Sequence, residues 1–239
     1  MLFATIVLIP WLNRGAPAAA PRSRAWLWFW LVAAGACFGL DVLFFHAAAR
    51  MTTVANATLL LNFAAIFMVL GGRFLFGEPV RPALIAGLVL ALTGAALLMS
   101  HSLSLSVEHL RGDAFGIIAA LFYAGYLLVV SRISAWQSTM QIMVWTSAVS
   151  TVVILPAMLL ADGPFLAGDL TGWLVLLALG IVSHAFGQGL IAHALAHLPV
   201  GFSGVGLLVQ PVAAAFRTAA AQQQRWRAAV ARRSMAVAH

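Results

Sequence analysis

Seven stretches of this chain, residues 26–49, 54–72, 82–100, 112–133, 139–161, 172–195 and 199–216, are apolar over the length of a membrane crossing. A helix needs about 20 such residues to span the hydrocarbon core. Repeated along one chain, the pattern leaves few folds open. Only 8% of the residues are charged and 63% are hydrophobic, whereas a soluble domain carries about 25% charged residues. A water-facing surface cannot be built from so little polar material. The runs are too long and too uniformly apolar for the alternating strands of a barrel. The reading is an all-α integral membrane protein, a multi-span helical bundle with the lipid bilayer as its solvent. Turn signals separate the runs at Arg50-Met51-Thr52-Thr53, Gly77-Glu78-Pro79, Asp162-Gly163-Pro164 and His197-Leu198-Pro199.

Residues 1–12 are apolar but too short to cross. They read either as a signal-peptide core, which the lack of a preceding positive charge disfavours, or as the last part of a helix. An internal repeat supports the second reading. A shift of 146 residues lays Ile6-Val7-Leu8-Ile9-Pro10 on Val152-Val153-Ile154-Leu155-Pro156, span 26–49 on 172–195, and 54–70 on 200–216. The order of spans, loops and helix-ending prolines carries this register, not residue identity. Each full unit then holds five helices, and an odd number inverts the second unit relative to the first. Two inverted five-helix repeats are therefore expected, present incompletely as about seven full spans plus a partial N-terminal one. The expected divisions are 1–100, 112–216 and a basic tail over 217–239 that is non-native or disordered.

Arginine placement sets the orientation. Arg14, Arg22, Arg24, Arg73, Arg81 and Arg132 fall on one side, expected to be cytoplasmic. Arg50 and Arg111 share the other side with Glu108, Asp113, Asp162 and Asp169. The net charge of +7 comes largely from the tail, so no nucleic-acid surface is implied. The single cysteine, Cys37, excludes an internal disulfide and reads as a small packing residue.

The segments Asp41-Val42-Leu43-Phe44-Phe45-His46, Thr52-Thr53-Val54-Ala55-Asn56-Ala57-Thr58-Leu59-Leu60-Leu61-Asn62-Phe63 and Phe74-Leu75-Phe76-Gly77-Glu78 resemble the EamA family of the drug/metabolite transporter superfamily. Leu195-Ala196-His197-Leu198-Pro199 and Leu207-Leu208-Val209-Gln210-Pro211-Val212 look like the matching block of the second unit. The resemblance implies a ten-helix inner-membrane carrier, mostly an exporter of small metabolites or drugs, without a cofactor. The chain departs from it in lacking the first helix, in carrying Ala65 where the family usually has proline, and in the Ala/Arg/Gln sequence after Phe216. A frameshift would produce such a tail, and loss of transport would follow.

Asp41 is the sharpest site candidate. It lies about 5 Å past the midpoint of its span, where a charge costs about 2.5–3.5 kcal/mol. The only arginine within these spans is Arg132, at the very end of 112–133. The carboxyl must be protonated, hydrated or hydrogen-bonded, either as a substrate-ammonium or proton-coupling site or as a structural contact to a neighbouring helix. Asn62, His184 and Gln210 share its mid-membrane depth, where carriers bind substrate. Thr58 lies one turn from Asn62, and Gln188 one turn from His184. His46 and Asn56 are nearer the outer edge and could line an entrance. For each of these, interhelical hydrogen bonding is the competing role. His193 and His197 have zinc-helix spacing without a third ligand, so no metal is expected. Gly35-x-x-x-Gly39 permits a close helix contact, and Trp26, Trp28 and Trp30 read as interface anchors.

The function expected is a secondary transporter working by alternating access on an unidentified small molecule, with a homodimer left open. The alternative is an inactive or partner-dependent truncated membrane protein. No enzyme is expected, since Gly-x-Ser-x-Gly, His-Glu-x-x-His and paired intramembrane aspartates are all missing from the sequence.

Overall fold

Large apolar side chains cover the outside of the bundle, while several polar ones are buried within it. Phe74, Leu90, Val152, Leu174, Val182 and Phe186 are exposed, while Asp41, Asn56, Thr146, Ser147 and Ser150 are buried. Exposed apolar area on this scale suits lipid, not water. The computed structural model describes residues 1–11, 23–99, 109–160 and 168–209. The basic tail 217–239, Arg14, Arg22, Glu108, Asp162 and the site candidate Gln210 lie outside the described residues.

Among the described residues every regular element is helical. Helices α1 (Leu2–Leu8), α2 (Arg24–Met51), α3 (Val54–Leu61), α4 (Ala64–Phe76), α5 (Pro82–Met99), α6 (Leu110–Ile133), α7 (Thr139–Leu159), α8 (Leu170–Ala178), α9 (Gly189–Leu195) and α10 (Val200–Leu207) follow in order. A 3-10 turn, Ile9–Trp11, extends α1. A π-helical stretch, Leu179–Gln188, joins α8 to α9. Five segments are long and apolar enough to cross a membrane: Arg24–Met51, Val54–Phe76, Leu110–Ile133, Thr139–Leu159 and Leu170–Leu195. Pro82–Leu97 is apolar but shorter. The run expected over 199–216 is described only to residue 209.

Side chains start the helices where the free N–H groups need acceptors. Ser23 caps α2, Thr53 caps α3, Asp169 caps α8, and Ser138 and Gln141 form a capping box on α7. Between α3 and α4 the ladder tightens. Asn62 N–H reaches Leu59 O at 3.1 Å, Phe63 N–H reaches Leu60 O at 3.0 Å, and Ala65 N–H reaches Asn62 O at 3.1 Å. These i→i−3 bonds break the span without a proline. The N–H of Ala65 is itself a donor in the break.

Helix α2 is the centre of the bundle and packs most extensively against α6, then α7. The α7 contact depends on two glycines. A Cβ on Gly35 would stand 2.5 Å from Val149 Cβ, and one on Gly39 would stand 2.9 Å from Val153 Cβ. The backbones are close enough for Ser150 Oγ to lie 2.7 Å from both Gly35 O and Thr146 O. The tryptophans expected as anchors pack edge to face across helices. Trp26 meets Trp136 at 4.9 Å between ring centroids, and Trp28 meets Trp145 at 4.4 Å. Arg132 stacks over Trp136 at 5.4 Å and lies 6.0 Å from the Phe76 ring, so the end of α6 that bears Arg132 gathers with the start of α2 and the end of α4.

A second tie joins residues far apart in sequence. Gly77 ends α4 in the left-handed conformation (φ 69°), which a side chain would strain. The turn carries Glu78 to the start of α10, where its carboxylate accepts from Val200 N–H at 3.0 Å and Gly201 N–H at 3.1 Å. Anionic caps at a helix N-terminus are favourable in both hydrogen bonding and dipole terms. Replacing Glu78 by Ala should cost about 1–2 kcal/mol locally. Hydrogen exchange in nanodiscs should then quicken at Val200 and Gly201 while α2 stays protected; unchanged exchange there would remove the clamp. Gly35→Val should lower the thermal midpoint in detergent through about 1–3 kcal/mol of overpacking. Gly94→Ala, where a Cβ meets nothing within 4 Å, is the neutral control. Equal midpoints for the two variants would contradict the α2–α7 contact.

Candidate functional site

Four elements bring polar and aromatic side chains together in the interior. On α2, Phe38 and Asp41 are one turn apart and share a face. Asp41 is 5% exposed, and its Oδ1 has no hydrogen-bond partner in the protein. Opposite it on α6, Tyr123 and Tyr126 lie within electrostatic range of the carboxyl. Helix α7 supplies Thr146 and Ser147. The π-helical stretch supplies His184 and Gln188.

The contacts among these groups are specific. Phe38 packs on the Tyr126 ring at 4.7 Å between centroids and stacks on His184 at 5.3 Å with 18° between planes. Tyr123 stacks on Tyr126 at 6.3 Å. A 2.8 Å hydrogen bond joins Ser147 Oγ to His184 Nε2. Tyr123 lies beside Gln188. Gln188 Oε1 is buried without a hydrogen-bond partner. Thr146 Oγ1 donates back to Ile142 O at 2.7 Å. Irregular backbone places the last two members of the group. In a π-helical turn residues four apart stay nearly in line, and such turns recur at functional sites. His184 and Gln188 are so spaced.

Of the candidates drawn from the sequence, Asp41, His184 and Gln188 converge on this cluster. Asn62 stands at the α3–α4 break, its Nδ2 buried and unpartnered. Thr58 Oγ1 donates to Val54 O at 2.7 Å within its own helix. His46 is exposed, with Nδ1 2.7 Å from Val42 O. Asn56 is buried in a separate group, hydrogen-bonded to Thr53 and, at 3.4 Å, to Asp113 Oδ1. His193 and His197 stack at 4.6 Å between centroids, with His197 Nδ1 2.9 Å from His193 O. No group of three or more His, Cys, Asp or Glu residues suited to a metal occurs among the described residues.

Tyr123, Tyr126 and Ser147 are absent from the sequence-derived candidates. A signal existed for the tyrosines. They are the only two in the chain, three residues apart, deep in a span and not at the interface that tyrosine favours. Ser147 gives no comparable signal, since serines and threonines line much of α7.

The chain has known relatives. The model of the EamA-like transporter family matches residues 1–100 and 110–225. The pseudopaline exporter CntI of two Pseudomonas aeruginosa strains is 29% identical over 156 residues, which are 65% of this chain and 53% of the exporter. An uncharacterized transporter of Archaeoglobus fulgidus is 26% identical over 164 residues, 67% of this chain and 55% of that protein. The chain spans about half the length of these curated relatives. A solved crystal structure matches with a TM-score of 0.71 at 23% identity, covering 88% of this chain and 72% of the other, and so shares its fold.

Proposed function

The chain belongs to the EamA-like transporter family, and from that premise we propose that it is a secondary carrier of the cell (inner) membrane that exports small metabolites or drugs by alternating access. The carrier is read as two inverted five-helix units, 1–100 and 112–216, with Asp41 at the substrate or coupling site between them. Family and named relatives point to a transporter rather than an enzyme. The observation that carries the site is the Asp41 carboxyl, buried mid-span with a free oxygen and facing Tyr123 and Tyr126. A group so costly in hydrocarbon is a functional hypothesis by default.

Alternating access needs a site at mid-depth that each side reaches in turn, and helices that are discontinuous there. Two features support this. The α3–α4 span breaks at Asn62, and the span holding His184 and Gln188 is π-helical through its centre. His184 is held by Ser147, which leaves Asp41 as the acidic group able to exchange a proton or a cation with a solute.

Proteoliposomes with an imposed pH gradient and a panel of small metabolites test the reading. Wild-type protein should dissipate the gradient when a transported solute is added. Asp41→Asn should slow that flux by about tenfold or more while keeping the wild-type thermal midpoint. Equal flux in the variant would remove Asp41 from the mechanism. No flux with wild-type protein across the panel would count against the carrier itself.

A further inference from the structure

Helix α10 depends on a neighbour from the far end of the chain. It packs chiefly on α4, less on α5 and little on α9. The seam with α4 is narrow because glycines line it. A Cβ on Gly204 would stand 3.0 Å from Met68 Cβ and 3.3 Å from Ala65 O, and one on Gly72 would stand 3.0 Å from Glu78 Oε2. From Ala65, beside the broken ladder at Asn62, to Glu78 the seam runs about 20 Å along α4. At its end both carboxylate oxygens are engaged with α10. Oε1 accepts from Val200 N–H at 3.0 Å and Oε2 from Gly201 N–H at 3.1 Å. Glu78 N–H is itself held by Gly72 O at 3.0 Å, so the turn aims the carboxylate.

Helix α10 does not cap itself. Pro199 stands at its N-cap without a side-chain hydrogen bond, and Ser203 Oγ turns back to Pro199 O. On the 146-residue register Pro199 answers to Thr53, at the start of α3. There the Thr53 hydroxyl accepts from Asn56 N–H at 3.0 Å, within one unit. The first N–H groups of α10 are satisfied instead from the other unit, by an acid 122 residues before Val200. A local cap would serve the helix equally well, whereas this one also joins the units. The joint lies at the arginine-bearing end, since Phe76, two residues before Glu78, is beside Arg132. Arg73 and Arg81 flank Glu78 in sequence and offer its carboxylate other partners once the helices part.

Resting on the carrier reading above, we infer that Glu78 is a releasable latch between the two units: engaged with the α10 N-terminus it holds the arginine-bearing end shut, and that end opens when α10 leaves α4. Elsewhere along the seam the contacts are apolar, Met68 on Gly204 and Leu84 on Gly201 among them. The latch therefore gives the seam its polar preference for one state. Two charge-assisted bonds are strong enough to bias a two-state equilibrium and few enough to break in a transition.

The test measures distances between two spin labels in the full chain in nanodiscs, carried by Leu75→Cys and Phe202→Cys in a Cys37→Ser background. Both labelled positions are exposed. Glu78→Ala should raise the population at longer separation about fivefold or more over the parent. Glu78→Gln, which keeps one acceptor oxygen, should raise it by less. Unchanged distributions would overturn the latch. A double variant separates latch from cap. Glu78→Ala with Pro199→Asp gives α10 its own cap without rejoining the units. Amide exchange at Val200 and Gly201 should then be slow again while the longer separation persists. Return of the parental distances would overturn the inference, because capping alone would explain the effect. If the double variant does not fold, the Glu78→Gln distribution decides. Longer separations without solute flux in any variant would uphold the latch and remove the carrier. Parental distances throughout, beside a proton-driven flux, would remove the latch and leave the carrier.

Discussion

Hydrocarbon offers no hydrogen bonds, and that constraint governs the whole structure. Polar side chains inside the bundle must therefore be served by the chain. Most solve the problem locally. The hydroxyls of Thr58, Thr146 and Thr151 each return to the carbonyl one turn back in their own helix. Ser147 and His184 serve each other across helices. Asp41 stands out against this economy, because a carboxylate cannot donate to a backbone carbonyl and one of its oxygens has found no donor. The same rule makes the exceptions informative, and Asp41 is the acid among them.

Helix packing follows from the constraint as well. With lipid as apolar as leucine, burial of apolar area gives helices little reason to associate, and close fit takes over. Helix α2 achieves it with Gly35 and Gly39 against Val149 and Val153, close enough for Ser150 to bond to the Gly35 carbonyl. Between α4 and α10 the fit has a polar lock. Gly77 turns the chain and Glu78 closes on the α10 N-terminus, whose N–H groups would otherwise lack acceptors. The Gly-Glu pair, marked in the sequence only as a family-like block, thus has a physical role that its local context does not announce.

What could be read from the sequence tracks the strength of each signal. Spans expected at 26–49, 112–133, 139–161 and 172–195 correspond to Arg24–Met51, Leu110–Ile133, Thr139–Leu159 and Leu170–Leu195, because a twenty-residue apolar run has few alternatives. The break inside 54–72 was not legible. It falls at Asn62 and Phe63 with no glycine or proline there to mark it. The π-helical stretch was equally hidden, since residues 179–188 read as ordinary span. In the site, charge and depth singled out Asp41, but the sequence could not tell that His184 and Gln188 would join it while Asn56 and His46 would not. That sorting depends on helix rotation, which polarity and depth leave undetermined.

Rotation also explains why the cluster is lopsided. Asp41, Tyr123 and Tyr126 sit on α2 and α6, two regular helices in the most extensive contact of the bundle. Gln188 and His184 sit on the irregular side, where the π-helical stretch has no regular α-helical ladder to hold it. A residue on a firmly packed pair keeps its place through a conformational change, whereas one on a π-helical turn can shift by regaining α-helical bonds. The acid sits on the regular side of the cluster, and its amide and imidazole neighbours sit on the irregular one.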